Sequence, residues 1–371
     1  MKQSLLKVSL IGTNGIPANY GGFETLTEYL AKFLNKDYEM YCYCAKTPKE
    51  KRLKTFHNTT LIYLPFKANG WQSMVYDALS IIDSLFKHNV LVVLGFSGVF
   101  AFPLKFIFGK KIIFNIGGIE WQKVRGSKFT GGFEVLVKKG FEWICVKSSD
   151  TIIVDNQVLY DYVKEKYNIV PVLAEYGGDH AIKESISLEL LEKYPFLDKS
   201  YDVTVSRAQE DMNIHLVIDA YKAIPERKLV IVSNWNTSDY GKALKNENHN
   251  KYDNIILLDA IYDLKILNTI RGNCAIYLHT HSLCGTAPSL VEAMSLGLPA
   301  ICFDVPTNRA TTEEKSYYFK DIDSLKSILR VLNPEKIKEL GENMFEIASR
   351  RYTWKKVVNI YKKCIDIYGQ N

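Results

Sequence analysis

Short, mostly apolar runs recur along the chain, spaced so that a helix fits between them. In the first half they are Val8–Ile11, Met40–Cys44, Leu61–Leu64, Val90–Leu94, Ile112–Ile116 and Thr151–Val154. Helix-period stretches separate several of them, at Trp71–Phe86 and Phe133–Val146. The second half repeats the scheme with Tyr201–Val205, Leu229–Val232, Ile255–Leu258, Ala275–His279 and Ala300–Phe303. Its helical patterns fall at Ile214–Ala223, Tyr262–Arg271, Ser289–Leu296 and Ser324–Leu332. Runs that are apolar rather than alternating predict strands buried on both faces, and strands alternating with helices predict parallel sheets. The expected fold class is α/β, with two Rossmann-like, doubly wound parallel-sheet domains facing a central cleft where the carboxyl ends of the strands bind ligand. The 371 residues suit two domains. We place them at 1–178 and 179–345, with a linker near Glu175–Glu184. A last helix, Pro334–Tyr368, is expected, and residues 346–371 are expected to cross back to the first domain.

Two loops break this regularity. In "NGIPANYGGFETLTEYLAKFL" (14–34), Gly21 and Gly22 precede an amphipathic helix marked by Phe23, Leu26, Leu30, Phe33 and Leu34. A strand, a glycine loop and a helix N-terminus together present free N–H groups and a positive dipole end, which suits a phosphate. A Gly-Gly pair also serves where a turn needs positive φ. Neither G-x-G-x-x-G nor a P-loop is spelled, which argues against a dehydrogenase or a P-loop enzyme. In "LHTHSLCGTAPSLVEAMSLGLP" (278–299), a polar loop ends in Pro288, a residue suited to the first helical turn, and Gly297 with Pro299 closes the helix. This is a second phosphate-like seat, and Glu292 one turn in can accept hydrogen bonds from a ribose diol.

Composition narrows the class. Hydrophobic residues make up 47% and charged ones 24%, as in a folded protein, and the net charge of +6 is spread along the chain. No basic stripe interleaved with aromatics appears, so no nucleic-acid partner is expected. No run of 18 apolar residues exists, and the N-terminal apolar stretch is too short for a signal peptide, so a cytoplasmic protein is expected. Val99–Lys111 sets aromatic and large apolar residues beside Lys105, Lys110 and Lys111, a pattern for lying on an anionic membrane or for a buried helix with a solvated turn. The seven cysteines are irregularly spaced and fit a reducing compartment. His279 and His281 flank a strand end with no third ligand assigned, and Asp321-Ile322-Asp323 reads as a helix N-cap. No metal is expected.

Several blocks carry a resemblance over essentially the whole chain. "IGTNGIPANYGGFETLTEYL" (11–30), "NIGGIEWQKVR" (115–125), "TIIVDNQVLYDYV" (151–163), "EYGGDH" (175–180), "VSRAQEDMNIHLVIDAY" (205–221) and "HTHSLCGTAPSLVEAM" (279–294) occur in one order. The order resembles that of the bacterial rhamnosyltransferase subgroup of retaining, GT-B fold glycosyltransferases, which extend cell-wall or capsular glycans on a lipid diphosphate carrier. The resemblance implies a donor site of Gly21, Gly22, Arg207, His281, Gly285, Thr286, Ala287, Pro288, Ser289 and Glu292. Arg207 would bind the diphosphate and Glu292 the ribose. It implies an acceptor side of Tyr20, Glu24, Glu120 and Trp121. Asp155, at the carboxyl end of Thr151–Val154, is carried with Arg207 and Glu292 as a catalytic group.

The chain departs from the family at three positions. Met212 stands where a lysine follows the arginine, Cys284 where the first of two paired glutamates stands, and Gly117 where the subgroup commonly has Asp. The resemblance implies a nucleotide-sugar donor, most directly dTDP-rhamnose, with a UDP-sugar of glucose, galactose or N-acetylglucosamine as the alternative. It further implies a lipid-linked saccharide acceptor, an anionic membrane surface at the inner face of the cell membrane, and partner glycosyltransferases. A non-catalytic glycan- or partner-binding subunit is the reading from another class.

Overall fold

The computed structural model describes residues 5–18, 21–96, 98–118 and 128–369. The chain divides into two compact units, Met1–Glu175 with Lys355–Asn371, and Tyr176–Trp354.

The first unit runs β1 (Lys7–Ile11), α1 (Gly22–Leu34), β2 (Glu39–Cys44), β3 (Thr55–Phe56), β4 (Thr59–Tyr63), α2 (Gln72–Lys87), β5 (Val90–Leu94), α3 (Lys105–Phe108), β6 (Lys111–Ile116), α4 (Lys128–Ser148), β7 (Thr151–Val154), α5 (Gln157–Tyr167) and β8 (Val172–Leu173). These strands form one sheet in the order β3-β4-β2-β1-β5-β6-β7-β8. Pairing is parallel except in the β3–β4 hairpin, whose turn residues His57 and Asn58 both have positive φ, as the twist of a two-residue hairpin loop requires. Every residue of β5 is buried, because helices cover both faces of the sheet centre. From β1 the chain winds to one side and from β5 to the other, so the carboxyl ends of these neighbours open a crevice. Gly12 leaves β1 there with a positive φ of +100, and a Cβ would lie 2.1 Å from the Leu94 carbonyl oxygen.

The second unit runs α6 (Leu188–Lys193), β9 (Asp202–Val205), α7 (Ile214–Lys222), β10 (Leu229–Ser233), α8 (Asp239–Asn248), β11 (Ile255–Asp259), α9 (Leu264–Gly272), β12 (Ile276–His279), α10 (Pro288–Ser295), β13 (Ala300–Phe303), α11 (Pro306–Thr311), β14 (Tyr317–Phe319), α12 (Ile322–Val331) and α13 (Pro334–Arg351). Its parallel sheet has the order β11-β10-β9-β12-β13-β14, so the switch point lies between β9 and β12. Asp202 at the start of β9 is buried and clasped by Arg227, Nε and Nη2 both donating at 2.9 Å, and by the Tyr221 hydroxyl at 2.6 Å. This paired charge fixes β9 against α7 and the approach to β10.

The expected single last helix, Pro334–Tyr368, is two. After α13 the chain breaks at Tyr352 and resumes as α14 (Trp354–Asp366). The break is held by tertiary bonds that a continuous helix would not allow. Tyr352 donates its hydroxyl to the Thr311 carbonyl and accepts from Gly178 N–H, while Trp354 N–H donates to Asp179 Oδ1 at 2.8 Å. Residues 346–354 therefore group with the second unit, and Lys355–Asn371 with the first. There Tyr38 donates to Asp366 Oδ1 at 2.5 Å, and Tyr361 bonds with Asn115 of β6. Three short strands, β3, β8 and β14, and the polar helices α5 and α8 carry too little apolar period to be read from sequence.

Gly12→Ala should destabilise the protein by about 2 kcal/mol, because the methyl meets backbone that cannot move aside and the positive φ disfavours any side chain. The check is thermal unfolding, with a melting point about 4–8 °C below that of the parent.

Candidate functional site

At the switch point of the second unit, two loops meet beyond the carboxyl ends of β9 and β12. Arg207 stands two residues past β9 and is exposed. Met212, where the resemblance implies a lysine, is buried in the core of this unit and offers no charge there. β12 ends at His279, and because strand side chains two apart share a face, His279 and His281 bring their rings within 4.3 Å. Ser282 donates its N–H and hydroxyl to the Asp211 carbonyl, at 3.0 and 2.8 Å, and Asn213 Nδ2 donates to the Thr280 carbonyl at 3.0 Å. Asn308 Nδ2 adds a bond to the His281 carbonyl at 2.9 Å. The loops are thereby stitched to each other by backbone acceptors.

Burial holds both imidazoles neutral. His279, fully buried, is pushed well below the usual histidine range by burial and then by its neighbour His281. His281 is pushed down to about 3 by burial first and then by the positive charge of Arg207, which makes Arg207 its electrostatic neighbour. Neither ring nitrogen of His279, nor Nε2 of His281, has a hydrogen-bond partner among the described residues. A buried polar group left this way costs about 1–3 kcal/mol.

Gly285, Thr286 and Ala287 are buried and lead into α10, where Pro288 occupies the first turn, followed by the half-buried Ser289. Ala287 caps α10 without a side-chain acceptor, so nothing from its own side chain competes for the helix's leading N–H groups. Glu292 projects from α10 between two partners. Arg271 Nη1 reaches Oε2 at 2.5 Å, and His180 Nε2 reaches Oε1 at 3.1 Å. Trp354 Nε1 donates to His180 Nδ1 at 2.9 Å, which makes Nε2 the protonated nitrogen that donates to the carboxylate. Burial alone would raise the Glu292 carboxyl, but the Arg271 charge and the His180 bond outweigh it and hold it at about 2. Arg271 is itself buried and steadied by Asn268 Oδ1 at 3.0 Å. Arg271 is marked by no motif, His180 falls in the "EYGGDH" block without an assigned role, and pairing across α9, α10 and the 176–180 segment is not legible in sequence.

In the first unit, Glu24 is buried and its Oε1 accepts from Asn14 N–H at 3.0 Å and Asn14 Nδ2 at 2.9 Å, pinning the loop after β1. Gly21 has φ +103, and a Cβ on it would lie 2.2 Å from Glu24 Oε2. Its bareness thus has a reason inside the chain, whatever else approaches. Gly22 begins α1. Asp155 follows β7 but does not cap α5; Asn156 does, accepting from Val158 N–H at 3.0 Å. Asp155 instead lies beside Gly117, where a Cβ would meet the Phe23 ring at 2.6 Å and Asp155 Oδ2 at 3.6 Å. The chain's own Phe23 fills the space that a side chain at position 117 would take. Tyr20, Glu120 and Trp121 lie outside the described residues. Asp321 is the N-cap of α12, in a reciprocal box with Ser324.

Arg271→Met leaves Glu292 short of its main counter-charge and should cost about 3–5 kcal/mol at neutral pH. Because the folded carboxyl titrates below its unfolded value of 4.5, its stabilisation is complete above that value and fades as pH falls toward about 2. Urea unfolding across this range should show the gap between parent and variant closing from pH 4.5 downward.

Residues 5–179 match the family model described as "Domain of unknown function (DUF1972)", and residues 189–345 match "Glycosyl transferases group 1". No curated protein matches the chain in sequence. Among solved structures it is similar to a sucrose-phosphate synthase from Thermosynechococcus elongatus, with TM-score 0.81 and 14% identity over 99% of this chain and 100% of that one. It is also similar to Anabaena HepE in complex with UDP and glucose, with TM-score 0.74 and 14% identity over 99% and 100% of the two chains. A third is an E. coli trehalose-6-phosphate structure bound with UDP-2-fluoro glucose, with TM-score 0.73 and 10% identity over 98% and 99%. The fold is GT-B, and residues 189–345 form a glycosyl transferases group 1 domain.

Proposed function

We propose that the protein transfers a sugar from a nucleoside-diphosphate donor to a lipid-diphosphate-linked saccharide, with retention at the anomeric carbon and rhamnose from dTDP-rhamnose as the transferred group. The observation that carries the reading is the placement of Arg207 after β9 and of the buried Gly285–Ala287 segment, leading into α10, after β12 at the β9/β12 switch point, a combination that suits a diphosphate. As the bond from the anomeric carbon to the diphosphate oxygen breaks, Arg207 and the helix dipole stabilise the growing charge. The acceptor hydroxyl bonds to that carbon from the same face and gives its proton to a phosphate oxygen. His281, neutral, is suited to hydrogen-bond the donor sugar, and Glu292, kept ionised, to accept from the nucleoside sugar. In this reading Glu24, Tyr20, Glu120 and Trp121 serve the acceptor side, and Asp155 is a polar catalytic group. A UDP-sugar donor is the second reading, favoured by the uridine nucleotides bound by the structural neighbours.

Calorimetric titration with dTDP, UDP, GDP and ADP and their sugars tests both readings. dTDP-rhamnose binding is expected, a UDP-sugar preference overturns the donor, and silence across the panel overturns transfer itself. Arg207→Ala should keep the melting temperature and lower turnover about 10²- to 10³-fold.

We further propose that the first unit docks on an anionic lipid surface. Phe106 and Ile107, 69% and 76% exposed, sit on α3, and Phe133, Leu136 and Trp143 form an exposed stripe along α4, which carries four lysines against two glutamates. Phe100 stacks edge-on against Phe141 of α4 at 5.2 Å, which joins the two patches. Lys105, counted with the membrane-facing lysines in the sequence, is instead buried in an ion pair with Asp150 at 2.7 Å, which Lys111 shares at 3.3 Å. The pairing with Asp150 offsets the cost of burying the Lys105 charge, and burial removes it from any lipid contact. Phe106→Glu with Ile107→Glu should release the protein from anionic liposomes in a sedimentation assay, and unchanged sedimentation would remove the idea.

A further inference from the structure

We infer that His279, His281 and Cys284 bind a transition-metal ion of zinc type. One ligand atom from each of the three lies within 4.8 Å of the others, at the carboxyl end of β12. The spacing explains the cluster. His279 and His281 share a strand face, and the turn through Ser282 and Leu283 brings Cys284 back over them. The second observation is independent of the spacing: His279 is fully buried, and both of its ring nitrogens are without a hydrogen-bond partner among the described residues, as is Nε2 of His281. Buried imidazoles are ordinarily satisfied, so nitrogens converging without partners point to a ligand. Two imidazoles and a thiolate are borderline-to-soft donors, which select zinc over magnesium or calcium. Bond lengths of about 2.0–2.3 Å put tetrahedral ligand atoms about 3.5 Å apart, so the longest edge closes by about 1 Å, within reach of a turn of the half-buried Cys284 side chain. On binding, the thiol proton leaves to solvent, and three protein ligands leave one position for water or an anionic oxygen. The Ser282 and Asn308 bonds hold the loop that carries the ligands. The site stands on these side chains alone and does not depend on sugar transfer.

The test uses the full chain, stripped with a chelator and titrated with Co²⁺, read by tetrahedral ligand-field absorption and the thiolate-to-cobalt charge-transfer band, then displaced with Zn²⁺. One ion per chain with both bands is expected. Cys284→Ser should abolish the charge-transfer band, and His281→Gln should weaken binding by about tenfold or more. Circular dichroism checks that each variant is folded. A parent protein with no saturable band overturns the assignment, as does a folded Cys284→Ser that binds Co²⁺ with the parent's affinity and spectrum.

Discussion

Glu292 between Arg271 and His180 is the interaction on which the second unit's site depends. The two oxygens of one carboxylate tie the end of α9 to the middle of α10, and to the 176–180 segment that Trp354 clasps from the start of α14. Such a buried pair contributes modestly over an apolar substitute, but its loss leaves a charge stranded away from water. It also orients α10, whose N-terminus faces the switch point. The side chain that would receive a nucleoside sugar is thus also a structural brace, and its ionised state is enforced from two directions.

Around that brace, the electrostatics separate charge from neutral hydrogen-bonding groups. Arg207 stays exposed beyond β9, while the nearby imidazoles are kept uncharged by burial and, at His281, by Arg207 itself. One cation beside neutral donors suits an anionic ligand with a hydroxyl-rich neighbour, and it spares the site the repulsion of several clustered positive charges. Met212 adds no second cation because its side chain is spent on the core.

The first unit solves a different problem. Its loop after β1 must turn sharply beside β5, and Gly12, Gly21 and Glu24 do so through backbone approach and two bonds to Asn14. Phe23 fills the space between the ends of β5 and β6 and lies beside Asp155, so the crevice floor is partly aromatic. The apolar surface left on α3 and α4 lies outside this packing and is not needed to hold the sheet together.

Apolar runs of strand length, interrupted by helix-period segments, were enough to determine two parallel α/β sheets, because burial on both faces leaves a continuous hydrophobic signature. The Gly285–Pro288 loop was legible as a strand-to-helix turn for a related reason, because small and turn-forming residues follow the apolar run, whereas Arg207 was singled out by the family resemblance alone. Three matters were decided only by tertiary structure. The break at Tyr352 depends on Thr311, Gly178 and Asp179, which lie far away in sequence. The partners of Glu292 come from segments more than 20 and more than 110 residues distant along the chain. Cys284, which the resemblance sets at the place of a glutamate, comes within 4.8 Å of ring nitrogens of His279 and His281 only through the turn that folds it back. Local patterns record which face of an element is buried; which charges and donors meet there is set by packing between elements that the chain visits at long intervals.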